Sequence, residues 1–127
     1  MTIGRVTAQK EAVIDLQVCG PTGQTLQIEV VIDTGFNGYL TLSTDMVDTL
    51  NLQFVCTTPA ALGDGHQVYM DVYEADVLWG EEKRKVVVLA TDAGALLGMS
   101  MLMGHRMTLD IEEEGPVTIE TLSPKTT

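Results

Sequence analysis

An all-β fold, mainly antiparallel and carrying one or two short helices, is what this sequence predicts, and three observations carry the prediction. Apolar and polar residues alternate with period two through Leu26-Gln27-Ile28-Glu29-Val30, the mark of a strand with one buried face. Turn residues such as Gly20-Pro21-Thr22-Gly23 and Glu112-Glu113-Glu114-Gly115-Pro116 separate short apolar stretches. Aromatic residues are only 5% of the chain, while valine, threonine and leucine are plentiful, which suits an aliphatic core.

The elements follow in order. Ala12-Val13-Ile14-Asp15-Leu16-Gln17-Val18 reads as a strand, Cys19 to Gln24 as its turn, and Leu26 to Val30 as the return strand of a hairpin. Ser43 or Thr44 can cap a short helix through Asp45 to Leu52, whose acidic first turn suits the helix dipole. Val68 to Trp79 reads as a long strand, and Gly80-Glu81-Glu82-Lys83-Arg84 as a charged turn into Lys85-Val86-Val87-Val88-Leu89. Val117-Thr118-Ile119-Glu120 is the final strand. No linker or low-complexity block divides the chain, so residues 1–122 are expected to form one domain and 123–127 a tail.

Within this frame one segment stands out: Val30-Val31-Ile32-Asp33-Thr34-Gly35-Phe36-Asn37-Gly38. A β-branched run leads straight into Asp-Thr-Gly, and strand character resumes at Tyr39-Leu40-Thr41-Leu42. A strand that ends on a carboxylate and turns at glycine presents an acid at the floor of a cleft. Asp33 supplies the carboxylate, Thr34 a hydroxyl for neighbouring backbone, and Gly35 a close turn whose N–H can reach the acid.

Further along lies Ala95-Leu96-Leu97-Gly98-Met99-Ser100-Met101-Leu102-Met103. With this second segment in place the chain resembles the retropepsin-like (clan AA) aspartic proteases. That family includes retroviral proteases, the protease domain of DNA-damage-inducible proteins, and single-domain bacterial and archaeal relatives. It joins an apolar-apolar-Asp-Thr/Ser-Gly loop to a later apolar-apolar-Gly element, here Leu96-Leu97-Gly98, followed by a short helix and a closing strand. The matching pieces run from about Leu26 to Ile119.

The resemblance implies an acid-protease β-barrel with one half-site per chain, and Asp33 as the catalytic acid. It implies an active-site loop at Thr34 and Gly35, and substrate contacts from Phe36 and Asn37 and from a flap over Leu62, Gly63, Asp64, Gly65 and His66. On local sequence alone that last stretch is equally an ordinary Gly-Asp-Gly hairpin turn. Alanine and an acidic residue usually follow the triplet in retroviral members; Phe36 and Asn37 stand there instead.

Aspartate-driven peptide hydrolysis needs one ionised carboxyl to activate water and one protonated carboxyl to polarise the scissile carbonyl. This chain has a single complete triplet. Asp92-Ala93-Gly94 lacks the hydroxyl residue, and Asp92 reads as a turn residue. The expectation is therefore a homodimeric endopeptidase in which Asp33 meets its own copy at a twofold axis. The family's dimers are sealed by interleaved terminal strands, here Ile3 to Val6 and Val117 to Leu122. The alternative is a non-catalytic retropepsin-like module for dimerisation or peptide binding.

Other chemistries are poorly served. A net charge of −11 argues against nucleic acid or anionic membrane as partner. His66 and His105 share no metal-ligand spacing, so neither a metal nor any other cofactor is expected. His105 is expected to end the short helix as a cation, and Cys56 to be a buried thiol. The methionines at 99, 101, 103 and 107 suit core and dimer packing better than soft-metal binding. Cys19 and Cys56 make no disulfide framework, and no signal peptide or membrane span is apparent, so the expected location is cytoplasmic.

Overall fold

The computed structural model describes residues 2–61 and 65–123. These residues contain ten strands: β1 (Thr2–Val6), β2 (Ala12–Cys19), β3 (Thr25–Ile32), β4 (Leu40–Leu42), β5 (Gln53–Ala61), β6 (Gln67–Trp79), β7 (Glu82–Ala90), β8 (Leu96–Leu97), β9 (His105–Leu109) and β10 (Pro116–Thr121). Two helices join them, α1 (Thr44–Thr49) and α2 (Met99–Leu102). The all-β reading holds.

The strands form one sheet in the order β5-β6-β7-β4-β8-β3-β2-β1-β10-β9. That sheet closes on itself, because the second half of β2 also pairs with the end of β6 through Gln17–Leu78, Val18–Val77 and Cys19–Asp76. Six strands thus make a ring. The first half of β2 pairs with β1 instead, at Gly4–Ile14 and Val6–Ala12. Most neighbours are antiparallel, whereas β3–β8 and β4–β7 run parallel.

The period-two alternation of β2 and β3 turns Ile14, Leu16, Val18, Ile28 and Val30 inward, where they meet Leu40, Leu42, Val77, Val88, Leu97 and Met101. Burying each such side chain contributes roughly 1.5–3 kcal/mol before ordering costs are counted. Ser43 caps α1 by accepting the Met46 N–H at 3.2 Å. The helix stops at Thr49, short of the expected Leu52, because Asn51 enters the left-handed region at φ 53°. Asparagine is among the few residues that tolerate this conformation. Gly80, at φ 65°, allows β6 and β7 to turn within two residues, so Glu82 to Arg84 belong to the strand rather than the expected turn.

Three further expectations are corrected. β1 and β10 pair with each other inside one chain, Thr2 opposite Ile119 and Arg5 opposite Pro116, and each also has a second neighbour. Their backbone groups are therefore already engaged, and the free edges of the sheet are β5 and β9. Cys56 is exposed, since it lies on edge strand β5, next to a bulge at Phe54–Cys56. His105 does not end a helix: it opens β9, two residues beyond the cap at Met103. Of the methionine cluster, Met101 enters the core while Met99 and Met103 are exposed. The tail expected over 123–127 lies, apart from Ser123, outside the described residues.

Candidate active site

Asp33 follows the last residue of β3 and is half-buried, while Thr34, Gly35 and Asn37 are exposed. The loop is held from below by β8, which runs parallel to β3 with Val31 opposite Leu96 and Ile32 opposite Leu97. The Asp33 N–H donates to the Leu97 carbonyl at 2.9 Å, and Phe36 N–H closes the turn onto the Asp33 carbonyl at 3.1 Å. Gly35 N–H donates to one Asp33 carboxylate oxygen at 2.9 Å. A Cβ on Gly35 would lie 3.2 Å from that same oxygen, so glycine keeps the approach open.

Gly98 is the second anchor. Its N–H donates to the Tyr39 carbonyl at 3.0 Å, Met99 N–H to Phe36 at 2.8 Å, and Ser100 N–H to Gly38 at 3.1 Å. The Ser100 hydroxyl adds a bond to the Asn37 carbonyl. The start of α2 is thus fastened to every carbonyl from Phe36 to Tyr39. The Phe36 ring lies against Gly38 and Gly98, because a Cβ on either glycine would come within 2.6 Å of it. The ring is packing for the loop's own support.

Thr41 carries a role the sequence did not reveal. It is 4% exposed, and its hydroxyl donates to the Gly94 carbonyl and accepts from Leu96 N–H, both at 2.8 Å. One side chain on β4 thereby sets the entry of β8, across more than fifty residues of chain. Nothing local distinguishes this threonine from others in strands. Thr41→Val keeps the shape and strands two backbone groups, so a loss of about 2 kcal/mol is expected in chemical denaturation. A change under about 0.5 kcal/mol would show that the hydroxyl does not brace β8.

The remaining candidates are spread out. Leu97 is fully buried and Leu96 half-buried beneath the loop. Leu62, Gly63 and Asp64 lie outside the described residues; Gly65, at φ 88°, and His66 are exposed at the end of the β5–β6 hairpin. From Thr57–Asp71 outward β5 and β6 pair only with each other, since β7 joins β6 first at Val72–Leu89. The hairpin therefore forms an arm, with Tyr69 75% exposed. Asp92 sits in an exposed turn after β7, within 3.4 Å of the Thr44 hydroxyl. Among the described residues no cluster of histidine, cysteine or acidic side chains could hold a metal ion.

This architecture is similar to that of a retropepsin-like aspartic protease from Rickettsia conorii, with a TM-score of 0.57 over 95% of this chain and 91% of that one. The two sequences are 16% identical, so the likeness establishes the fold. No family model matches the sequence. A search of curated proteins returns no match either. No helix among the described residues is long and apolar enough to cross a membrane.

Proposed function

We propose that this protein is an aspartic endopeptidase that works as a homodimer, each chain supplying one Asp33. The observation that carries the reading is the state of that carboxyl. It sits at a strand end with one oxygen held by Gly35 N–H, on an exposed loop braced by the buried Gly98 element. Two such carboxyls brought together would share a proton, because ionising both in contact is costly. One would take a proton from water while the other polarised the peptide carbonyl.

The β5–β6 arm is assigned as the flap that closes over substrate and excludes bulk water. Asn37 and the stretch 62–66 are the proposed substrate side of the site, while Phe36, packed on Gly38 and Gly98, shapes the loop from beneath. Apart from Asp71 and His66 the described arm has no acidic or basic side chain, which suits a peptide held by backbone pairing and apolar contact. Cys19 and Cys56 are free thiols, in keeping with a cytoplasmic setting.

The test is cleavage of an unfolded protein across a pH series. A shared-proton pair predicts a bell with two macroscopic pKa values and an acidic to mildly acidic optimum. A rate that climbs steadily toward alkaline pH would point to another mechanism. Assembly gives a separate check. The Thr34 hydroxyl has no hydrogen-bond partner among the described residues and is exposed beside Asp33, where it can bond across a twofold axis. Thr34→Ala is expected to weaken dimerisation and activity together, by about tenfold for one lost hydrogen bond. Sedimentation at micromolar concentration decides the matter: a strictly monomeric wild type excludes the dimeric protease and leaves a peptide-binding module.

A further inference from the structure

We propose that His105 is a positioning residue for the catalytic loop, held in place only while its imidazole is neutral. Trp79 Nε1–H donates to His105 Nε2 at 3.0 Å, and the two rings meet edge to face with centroids 5.5 Å apart. An indole N–H can only donate, so Nε2 must carry a free lone pair. The ring proton then sits on Nδ1, which donates to the Met103 carbonyl at 2.9 Å. Both nitrogens are engaged, and only one tautomer satisfies both partners.

The path from this pair to the loop is short. Met103 caps α2, and its N–H bonds back to the Met99 carbonyl at 3.0 Å. At the other end of α2 the Met99 and Ser100 N–H groups hold the Phe36 and Gly38 carbonyls. A four-residue helix has little stability of its own, so whatever fixes its far end also fixes the loop. Trp79, 8% exposed and rooted in the closed ring of strands, is that fixture.

A second proton on the imidazole turns Nε2 from acceptor to donor and sets it against the indole N–H. The bond is then lost. Other charges nearby give the ring an alternative partner. Glu81 and Glu82 of the β6–β7 turn line the same open pocket of about 560 Å³ as His105 and Trp79, and would attract an imidazolium. Arg84 of β7 lines it too and would repel one. The α2 residues bring no charge, β10 places Thr121 opposite His105, and Arg106 on β9 lies opposite Glu120.

Trp79 is the sole tryptophan of the chain, so its fluorescence reads the pair directly. Emission should fall in a one-proton step as acidification puts the second proton on the imidazole. The indole N–H proton resonance should move with the same midpoint. His105→Gln can still accept the indole N–H but cannot titrate, so it should fold and lose the step, whereas His66→Gln should retain it. A wild type without the step, or a step that survives in His105→Gln, overturns the proposal. Should that variant not fold, imidazole 15N shifts of the wild type decide: an Nε2-protonated neutral ring overturns it as well.

A second arm rests on the protease reading. Dividing the cleavage rate of His105→Gln by that of wild type removes the dyad's own titration, and the quotient should rise a few-fold as pH falls. A flat quotient overturns the positioning role. Absence of cleavage in both proteins overturns the protease reading instead, and the fluorescence step still decides whether His105 is a proton-sensitive latch.

Discussion

Replacing Asp33 by asparagine is expected to abolish proteolysis while leaving fold and assembly unchanged. The carboxamide matches the carboxylate in shape, and its oxygen can still accept Gly35 N–H as the acid does at 2.9 Å. What disappears is the ability to exchange a proton with water. Loss of a general acid–base group costs about 10²–10⁴-fold, and in the proposed dimer both copies would be lost at once. Sedimentation and far-ultraviolet circular dichroism should match wild type, and the rate should fall to background. Residual cleavage within a few-fold of wild type would remove Asp33 from the mechanism.

Gly98→Ala is expected to lower stability strongly and to disturb the Asp33 loop with it. The residue has φ −103° and ψ 179°, extended backbone open to any amino acid, so the cost is one of space alone. An added Cβ would overlap the Gly38 carbonyl oxygen and lie 2.7 Å from that of Phe36. Those are backbone atoms, bonded to α2 and unable to swing away as a side chain would. Overpacking of this kind costs about 3 kcal/mol, and any relief must push the loop that carries Asp33. The denaturation midpoint and the cleavage rate should fall together. An alanine variant as stable and active as wild type would mean that the Gly98 contact does not support the loop.

The parts of the fold that were legible in the sequence are those written locally. Alternation in β2 and β3, the Ser43 cap and the Asp-Thr-Gly and Leu-Leu-Gly segments each lie within a few neighbouring residues. β5 was legible only as a strand context around Cys56 and not in its extent, because Gln53 to Ala61 mixes small, β-branched and proline residues without a period. The pairing of β1 with β10 was misassigned to two chains, since a strand's own sequence states that it will pair but not with what. The same limit hid Thr41, whose two partners lie more than fifty residues away, and the bond from Trp79 to His105. The strand-end position of Asp33 and the Leu96-Leu97-Gly98 element beneath it were readable; the Thr41 bonds that set the entry of β8 were not.

The contacts that brace the loop also carry a kinetic consequence. Asp33 N–H bonds to Leu97, and β8 must lie beside both β3 and β4 before the loop has its shape. Closing so long a segment of chain is entropically slow, and mixed parallel pairing of this kind belongs to the late part of folding. The Asp-Thr-Gly triplet is thus made early in synthesis but has only its own local turn bonds to hold it until residue 98 has emerged and docked. A chain that misfolds or breaks between β4 and β8 retains every atom of Asp33-Thr34-Gly35 and lacks the brace that shapes the loop. In the proposed dimer, competence to pair with a second copy would then be a readout of completed folding.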